Sequence, residues 1–356
     1  MDAPRIRTFR VQDFIANAQV LAEYDDPLGY VATCTPRWAE LLASNPFAQP
    51  SDLAMVVAID GKKIVGRLGF YAAEVSLGGQ RHKTYLQQAF FLDPAYRPTG
   101  AGSMLLLPAL SSLKCLTGMG NSAPETVALC ERLGFSTVTR MRRFVHFYRT
   151  GSLMQTYLRQ RHVARVASWL ADPAWRFVSR YRVRGGGPRG NFTYRPVQRF
   201  DESIDRLIAN EKRPFFPRGA GALNWIMKFG PLDAFTIHAG DRLLGYCLLQ
   251  KFARVAVPQR HLPAMMVGRV ADYYLPADAF DAKRDMHQFA IDYFADRDVE
   301  LLECQVHDAG LPEICKQLGM FEIGGMVGVF RPPRNTEPTQ PQDWFLTFGT
   351  GDILLI

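Results

Sequence analysis

The amino-acid sequence predicts an α/β (α+β) architecture of two tandem mixed-sheet domains. Short β-rich runs alternate with helical runs along 356 residues, more than one compact domain of this kind needs. The glycine pair Gly61 and Gly66, set around a hairpin turn, returns as Gly240 and Gly245, an offset of 179. The stretch Leu129-Cys130-Glu131-Arg132-Leu133-Gly134-Phe135 returns as Ile314-Cys315-Lys316-Gln317-Leu318-Gly319-Met320, its glycine 185 positions later. Two different signals repeating at similar offsets point to one fold used twice.

A strand is expected near Ile6–Arg10, followed by helical stretches through Leu42. Met55–Asp60 and Lys63–Phe70 are β-rich runs flanking Asp60-Gly61, a strong local hairpin signal. A strand over Tyr85–Leu92 is stopped by Asp93-Pro94, and a glycine-rich turn leads into an apolar helix from Ser103 to Leu113. Lys114–Met119 follows as a strand. Ser122-Ala123-Pro124-Glu125 has the form of a capping box, opening a helix that stops at Leu133-Gly134. Val138–Tyr148 then extends as a strand or strand pair. In the second half, Phe235–Gly245 repeats the hairpin, while Gly185–Gly190 is a flexible join before it. Arg331–Gln342 is a Pro-rich lead to a tail with Trp344, Phe345 and Phe348, aromatics expected to pack back on a domain.

Composition excludes several classes. With 47% hydrophobic and 21% charged residues the chain is an ordinary globular one. No apolar run reaches the roughly 20 residues of a membrane span, and Met1–Arg7 lacks a signal-peptide core, so a cytoplasmic protein is expected. Six cysteines and seven histidines lie scattered, with no C-x-x-C or H-E-x-x-H spacing, and no metal is expected. The formal charge of +8 is local: residues 149–189 hold nine arginines and one acid, Asp172. That connector is either a solvated face or a patch for an anionic partner, the inner membrane face included; nucleic acid is not the expected partner.

The most informative stretch is Leu92-Asp93-Pro94-Ala95-Tyr96-Arg97-Pro98-Thr99-Gly100-Ala101-Gly102-Ser103. A strand, a glycine turn and a helix start make an anion site, because successive N–H groups converge and glycines let oxygens approach the backbone. Arg97–Gly102 fills the Q/R-x-x-G-x-G/A pattern, and together with the approach Leu92–Tyr96 it resembles the GNAT superfamily of acyl-CoA-dependent N-acyltransferases. Leu129–Phe135 is similar to that superfamily's L-Y-x-x-L-G-F ending, so the resemblance covers about residues 50–148, and the second copy loosely.

The resemblance implies two GNAT-like domains: 1–150 binding acyl-CoA, then a basic connector at 151–194, a degenerate copy at 195–333, and a tail at 334–356. It implies acetyl-CoA or another acyl-CoA as co-substrate, with the pyrophosphate held by Arg97, Pro98, Thr99, Gly100, Ala101, Gly102 and Ser103. The pantetheine would run along Phe90, Phe91 and Leu92, with Asn121 nearby, and a small-molecule or glycan-precursor amine would attack the thioester directly. Where that superfamily often places a base glutamate this chain has Gln87 and Gln88, which take up no proton at neutral pH. Glu74, with His82 behind it, is the nearest candidate base, and Cys130 replaces the tyrosine that serves as acid. Pro98 removes one N–H from the turn.

The second copy has no glycine turn at Val270–Phe280, and Asp278 and Asp281 would repel a pyrophosphate. It is expected to shape the acceptor site, with Asp272, Tyr273 or His307 within reach. Two other readings stay open: a non-catalytic acyl-CoA-sensing or partner-binding module, and a FemABX-like aminoacyltransferase of envelope biosynthesis. Trp344–Thr347 with Gly351-Asp352 loosely resembles endings of bacterial envelope-polysaccharide acyltransferases.

Overall fold

A computed structural model describes residues 4–22, 35–120, 124–151, 169–173, 190–228, 230–254, 264–307, 310–333 and 344–347. Most of the arginine-rich connector, Gly185–Arg189 of the join, Ser122-Ala123 and much of the tail lie outside the described residues. The chain forms two compact units, Met1–Arg140 with Ile208–Gly230 and Met326–Ile356, and Met141–Leu207 with Pro231–Gly325. The contiguous blocks expected at 1–150 and 195–333 are thus interleaved: Met141–Thr150 belongs to the second unit, and Ile208–Gly230 with the stretch from Met326 belongs to the first.

The first unit contains β1 (Arg5–Arg10), α1 (Val11–Ala22), α2 (Pro36–Ala43), β2 (Leu53–Asp60), β3 (Lys63–Leu77) and β4 (Gln80–Leu92). After a 3-10 turn (Pro94–Thr99) come α3 (Ala101–Ser112), β5 (Leu116–Gly120) and α4 (Pro124–Arg132), and β6 (Ser136–Phe147) begins. The second unit takes the end of β6, then β7 (Phe192–Val197), most of α5 (Ser203–Ile208), β8 (Leu232–Ala239), β9 (Arg242–Arg254) and β10 (Met265–Tyr274). It is completed by α7 (Phe280–Ala295), β11 (Leu301–Val306), α8 (Leu311–Gln317) and the start of β12 (Phe321–Arg331), while α6 (Ala220–Ile226) belongs to the first unit.

Both units have the same strand plan. In the first, the order is β1-β2-β3-β4-β5-β12, and in the second it is β7-β8-β9-β10-β11-β6. Only β4–β5 and β10–β11 are parallel among these pairs. Val327–Arg331 of β12 covers β5, and Arg142–Phe147 of β6 covers β11. Without these sixth strands β5 and β11 would each present a row of unpaired backbone groups, which explains why the compact units cut across the sequence blocks.

Local chemistry accounts for the punctuation. Gly61 and Gly240 take left-handed φ of +56° and +61° at their hairpin turns. Gly78 and Gly79, both at positive φ, form a second tight turn that extends the β3–β4 hairpin well before Tyr85, the strand start expected from sequence. After α4, the N–H of Phe135 donates to Cys130 O and that of Gly134 to Glu131 O; Met320 and Gly319 do the same with Cys315 and Lys316 after α8. These are two Schellman stops, with glycine where φ is +85° and +74°. Leu105, Leu106 and Ala109 of α3 pack against Val56, Leu68, Phe70 and Tyr85 to make the first core. Trp344 of the tail stacks near Phe216 and Phe330, and Phe345 N–H donates to Pro214 O, so the described part of the tail is buried in this unit.

His146, on the part of β6 in the second unit, is buried, and burial pulls its pKa down to about 4. The unfolded chain therefore binds the extra proton between pH 6.5 and 4, and stability falls as pH drops through that window. Replacing His146 by Phe should remove about 1–3 kcal/mol of this acid loss. Urea unfolding at pH 7 and pH 4.5 checks it; equal losses in both proteins would contradict the assignment.

Candidate functional site

The site grows from an irregularity in β4. This strand pairs with β3 along its whole length, but with β5 only at Tyr85↔Leu116 and Leu86↔Thr117. Arg67 pairs with Phe91 and Gly69 with Gln88, so Ala89 and Phe90 together oppose Leu68. Ala89 carries the extra residue at φ +49°, a left-handed conformation unusual for a residue with a side chain. A bulge bends and twists its strand. Past Leu86 no pairing of the two parallel strands is found among the described residues, which leaves a gap in the ladder along Gln87–Leu92.

At the end of that gap the chain turns into α3. Asp93 ties the turn down: its N–H donates to Val65 O at 2.7 Å, its carboxylate accepts from Ala95 N–H at 3.0 Å, and Lys63 Nζ reaches it at 2.8 Å. The lysine and the amide hold the Asp93 carboxyl below its ordinary range. Pro94 starts the 3-10 turn, and the buried Tyr96 donates its hydroxyl proton to Asp60. The Asp-Pro-x-aromatic approach is therefore a clamp onto the β2–β3 hairpin. Gly100, at φ +78°, caps α3, and its carbonyl accepts from the N–H groups of Ser103 and Met104. Helix geometry leaves the amides of Ala101 and Gly102 outside α3's own ladder. Arg97 is exposed beside them, and a Cβ at Gly102 would stand 3.5 Å from Leu92, so the strand end and the turn touch.

Two amides line the start of the gap. Gln87 and Gln88 are buried, 7% and 2% exposed, yet Gln87 Nε2 and both polar atoms of the Gln88 side chain have no hydrogen-bond partner. Gly118 of β5 makes room for the first, since a Cβ there would meet Gln87 Oε1 at 3.1 Å. From sequence these glutamines are only groups unable to act as a base. Their burial without partners depends on where β4 and β5 part, which sequence spacing does not reveal.

The remaining candidates fall elsewhere. Glu74 pairs across the hairpin with Lys83, on the side of Leu86 away from the bulge, and Arg81 Nη1 lies 3.3 Å from its carboxylate. Its neighbour across β4 is His82, opposite Val75. Glu74 borders a shallow cleft whose walls include Tyr71, Leu86, Phe216, Arg218 and Trp225. Cys130 is 3% exposed within the first core, and burial pushes its thiol up to about 11. Asn121 lies outside the described residues. In the second unit Asp272 is fully buried with Tyr246 donating to it, Tyr273 packs edge-on against His287, and His307 follows β11. Asp278 precedes α7 and Asp281 lies in its first turn, where Lys283 Nζ donates to Ala277 O at 2.9 Å.

No family model matches the sequence, and no curated protein matches it either. Solved structures do. A GCN5-related N-acetyltransferase from Anabaena variabilis superposes with a TM-score of 0.53 at 13% identity, covering 92% of this chain and 72% of the other. A probable N-acyltransferase from Enterococcus faecalis, described as a conserved protein of unknown function, gives 0.52 at 12% identity with the same coverage. The chain has a GNAT-like fold. No described helix is long and apolar enough to cross a membrane.

Gly66 lets the strand end and α3 approach β3, because a Cβ there would lie 2.9 Å from Leu92 Cδ1 and 3.0 Å from Leu105 Cδ1. Gly66→Ala should cost about 1–2 kcal/mol in urea unfolding, the leucine tips absorbing part of the clash. An unchanged midpoint would show that this close approach is not needed.

Proposed function

We propose that this chain is an acyl-CoA-dependent N-acyltransferase, with acetyl-CoA the first donor to test and a small-molecule amine as acceptor. The observation that carries the reading is the gap between β4 and β5, bounded by the bulge at Ala89 and ending at the Gly100–Gly102 helix start. A pantetheine arm is an extended chain of amides, and the unpaired side of Phe90–Leu92 offers it strand-like hydrogen bonds. A pyrophosphate fits the amides from Thr99 to Gly102, with the helix dipole and Arg97 supplying positive charge. The GNAT-like fold supports the same reading.

The reaction is direct transfer: the amine nitrogen bonds to the thioester carbonyl carbon, the C–S bond breaks, and the amine's proton leaves while the thiolate gains one. Gln88 supplies an amide, with donor and acceptor both awaiting partners, toward the acyl or acceptor group. Glu74 is the candidate base, acting through water because Arg81 already engages its carboxylate. Cys130 is read as a packing residue, since its thiol sits inside the core. The second unit, whose β10–α7 connection has no glycine turn, is not assigned a cofactor, so one acyl-CoA should bind per chain.

Calorimetric titration of the full chain with CoA should give a stoichiometry near one, and Arg97→Ala should weaken binding about 3–10-fold, most at low salt. Absence of CoA binding would end this reading. Gln88→Leu should leave stability unchanged or higher, because it removes buried polar atoms that lack partners, yet lower kcat/KM about 10-fold or more. Tight CoA binding with no turnover on a broad amine panel would instead favour a non-catalytic acyl-CoA-binding module.

A further inference from the structure

We propose that the second unit holds a thiophilic d10 cation, zinc(II) or copper(I), on His287, Cys304, Cys315 and Met320. The four residues come from α7, β11, α8 and the turn after α8, at intervals of 17, 11 and 5 residues that match no metal-ligand spacing. Folding brings them together: one donor atom each of His287, Cys304 and Cys315 lies within 4.8 Å of the others, all three buried. Cys304 Sγ stands 4.0 Å from Cys315 Sγ and 3.9 Å from Met320 Sδ.

These separations fit coordination. Two sulfurs at ~2.3 Å from a tetrahedral ion sit about 3.8 Å apart, so both sulfur–sulfur distances are already tetrahedral edges within a few tenths of an ångström. The imidazole is oriented in the way metal-bound histidines are. His287 Nδ1 lies 2.8 Å from Lys283 O, one turn earlier on α7, and a carbonyl can only accept. The proton is therefore on Nδ1, and the lone pair is on Nε2. Tyr273 packs edge-on against the ring and holds its plane.

Two thiols, an imidazole and a thioether form a soft donor set that selects zinc(II) or copper(I) over magnesium or calcium. Buried cysteines are often only small apolar side chains. Here, however, two cysteines and a tautomer-locked histidine meet at one point, and a methionine sulfur stands beside one of the thiols. Coordination would release the two thiol protons to solvent and cross-link α7, β11 and α8.

The test uses the full chain, reduced and stripped of metal, and titrated anaerobically with zinc(II) or copper(I) against a competing chelator. One ion per chain is expected, with release of up to two protons and a Tm rise of about 5 °C or more. Cobalt(II) should give the visible bands of a tetrahedral thiolate site. Cys315→Ala, a small change at a packed position, should abolish stoichiometric binding while leaving the metal-free circular dichroism unchanged. Met320→Leu should weaken copper(I) more than zinc(II). The proposal fails if the wild-type chain binds neither ion, if Cys315→Ala binds as well as wild type, or if the isolated chain carries a Cys304–Cys315 disulfide. Since the wild-type titration alone can overturn it, the outcome does not depend on the variant folding.

Discussion

The first unit depends on a backbone constraint: one extra residue in β4. Ala89 in the left-handed region lets two residues face Leu68, and from there β4 follows β3 while losing β5. The divergence creates an edge inside a sheet, with polar groups on one side that water or a ligand must satisfy. The clamp from Asp93 and Tyr96 then sets the glycine turn at the open end of this edge. Gap and helix start are useful together because the β2–β3 hairpin anchors the turn to the same sheet.

The second unit uses the same device without the same ending. Its β10 also carries one extra residue, Ala271, in the pairing with β9, and its parallel pairing with β11 is limited to Val267, Gly268 and Arg269. Beyond Tyr274 the connection contains Pro276 and Asp278 in place of glycines, and Lys283 closes onto Ala277 O. Gly245, the counterpart of Gly66, faces backbone: a Cβ there would lie 2.1 Å from Tyr274 O. A shared frame with different loop chemistry lets one strand plan end in a glycine-capped helix start in one unit and in a connection carrying Pro276 and Asp278 in the other.

Each unit also holds its own buried polar groups. In the first, Gln87 Nε2 and both amide atoms of Gln88 stand without partners beside the gap. In the second, Glu303 is fully buried between Arg143 and Arg269, and the guanidinium charges hold its carboxyl below the ordinary range against burial. The ionic cluster ties β6, β10 and β11 together, whereas Gln87 and Gln88 keep hydrogen-bonding capacity beside the place where β4 and β5 part.

Local signals were legible in the sequence wherever one residue type answers one backbone demand. The Asp60-Gly61 and Gly240 turns, the Leu-Gly helix stops and the Asp-Pro approach to Gly100 all formed as expected, because positive φ or a fixed proline φ narrows the choice of residue. The exchange of β6 and β12 was not legible, nor were the bulge at an ordinary alanine, the partnerless glutamines and the meeting of His287, Cys304 and Cys315. Strand pairing, burial and donor distances are properties of residues far apart in sequence. The chain's own order therefore determined the turns and caps, and the tertiary structure alone decided which side chains and edges share a site.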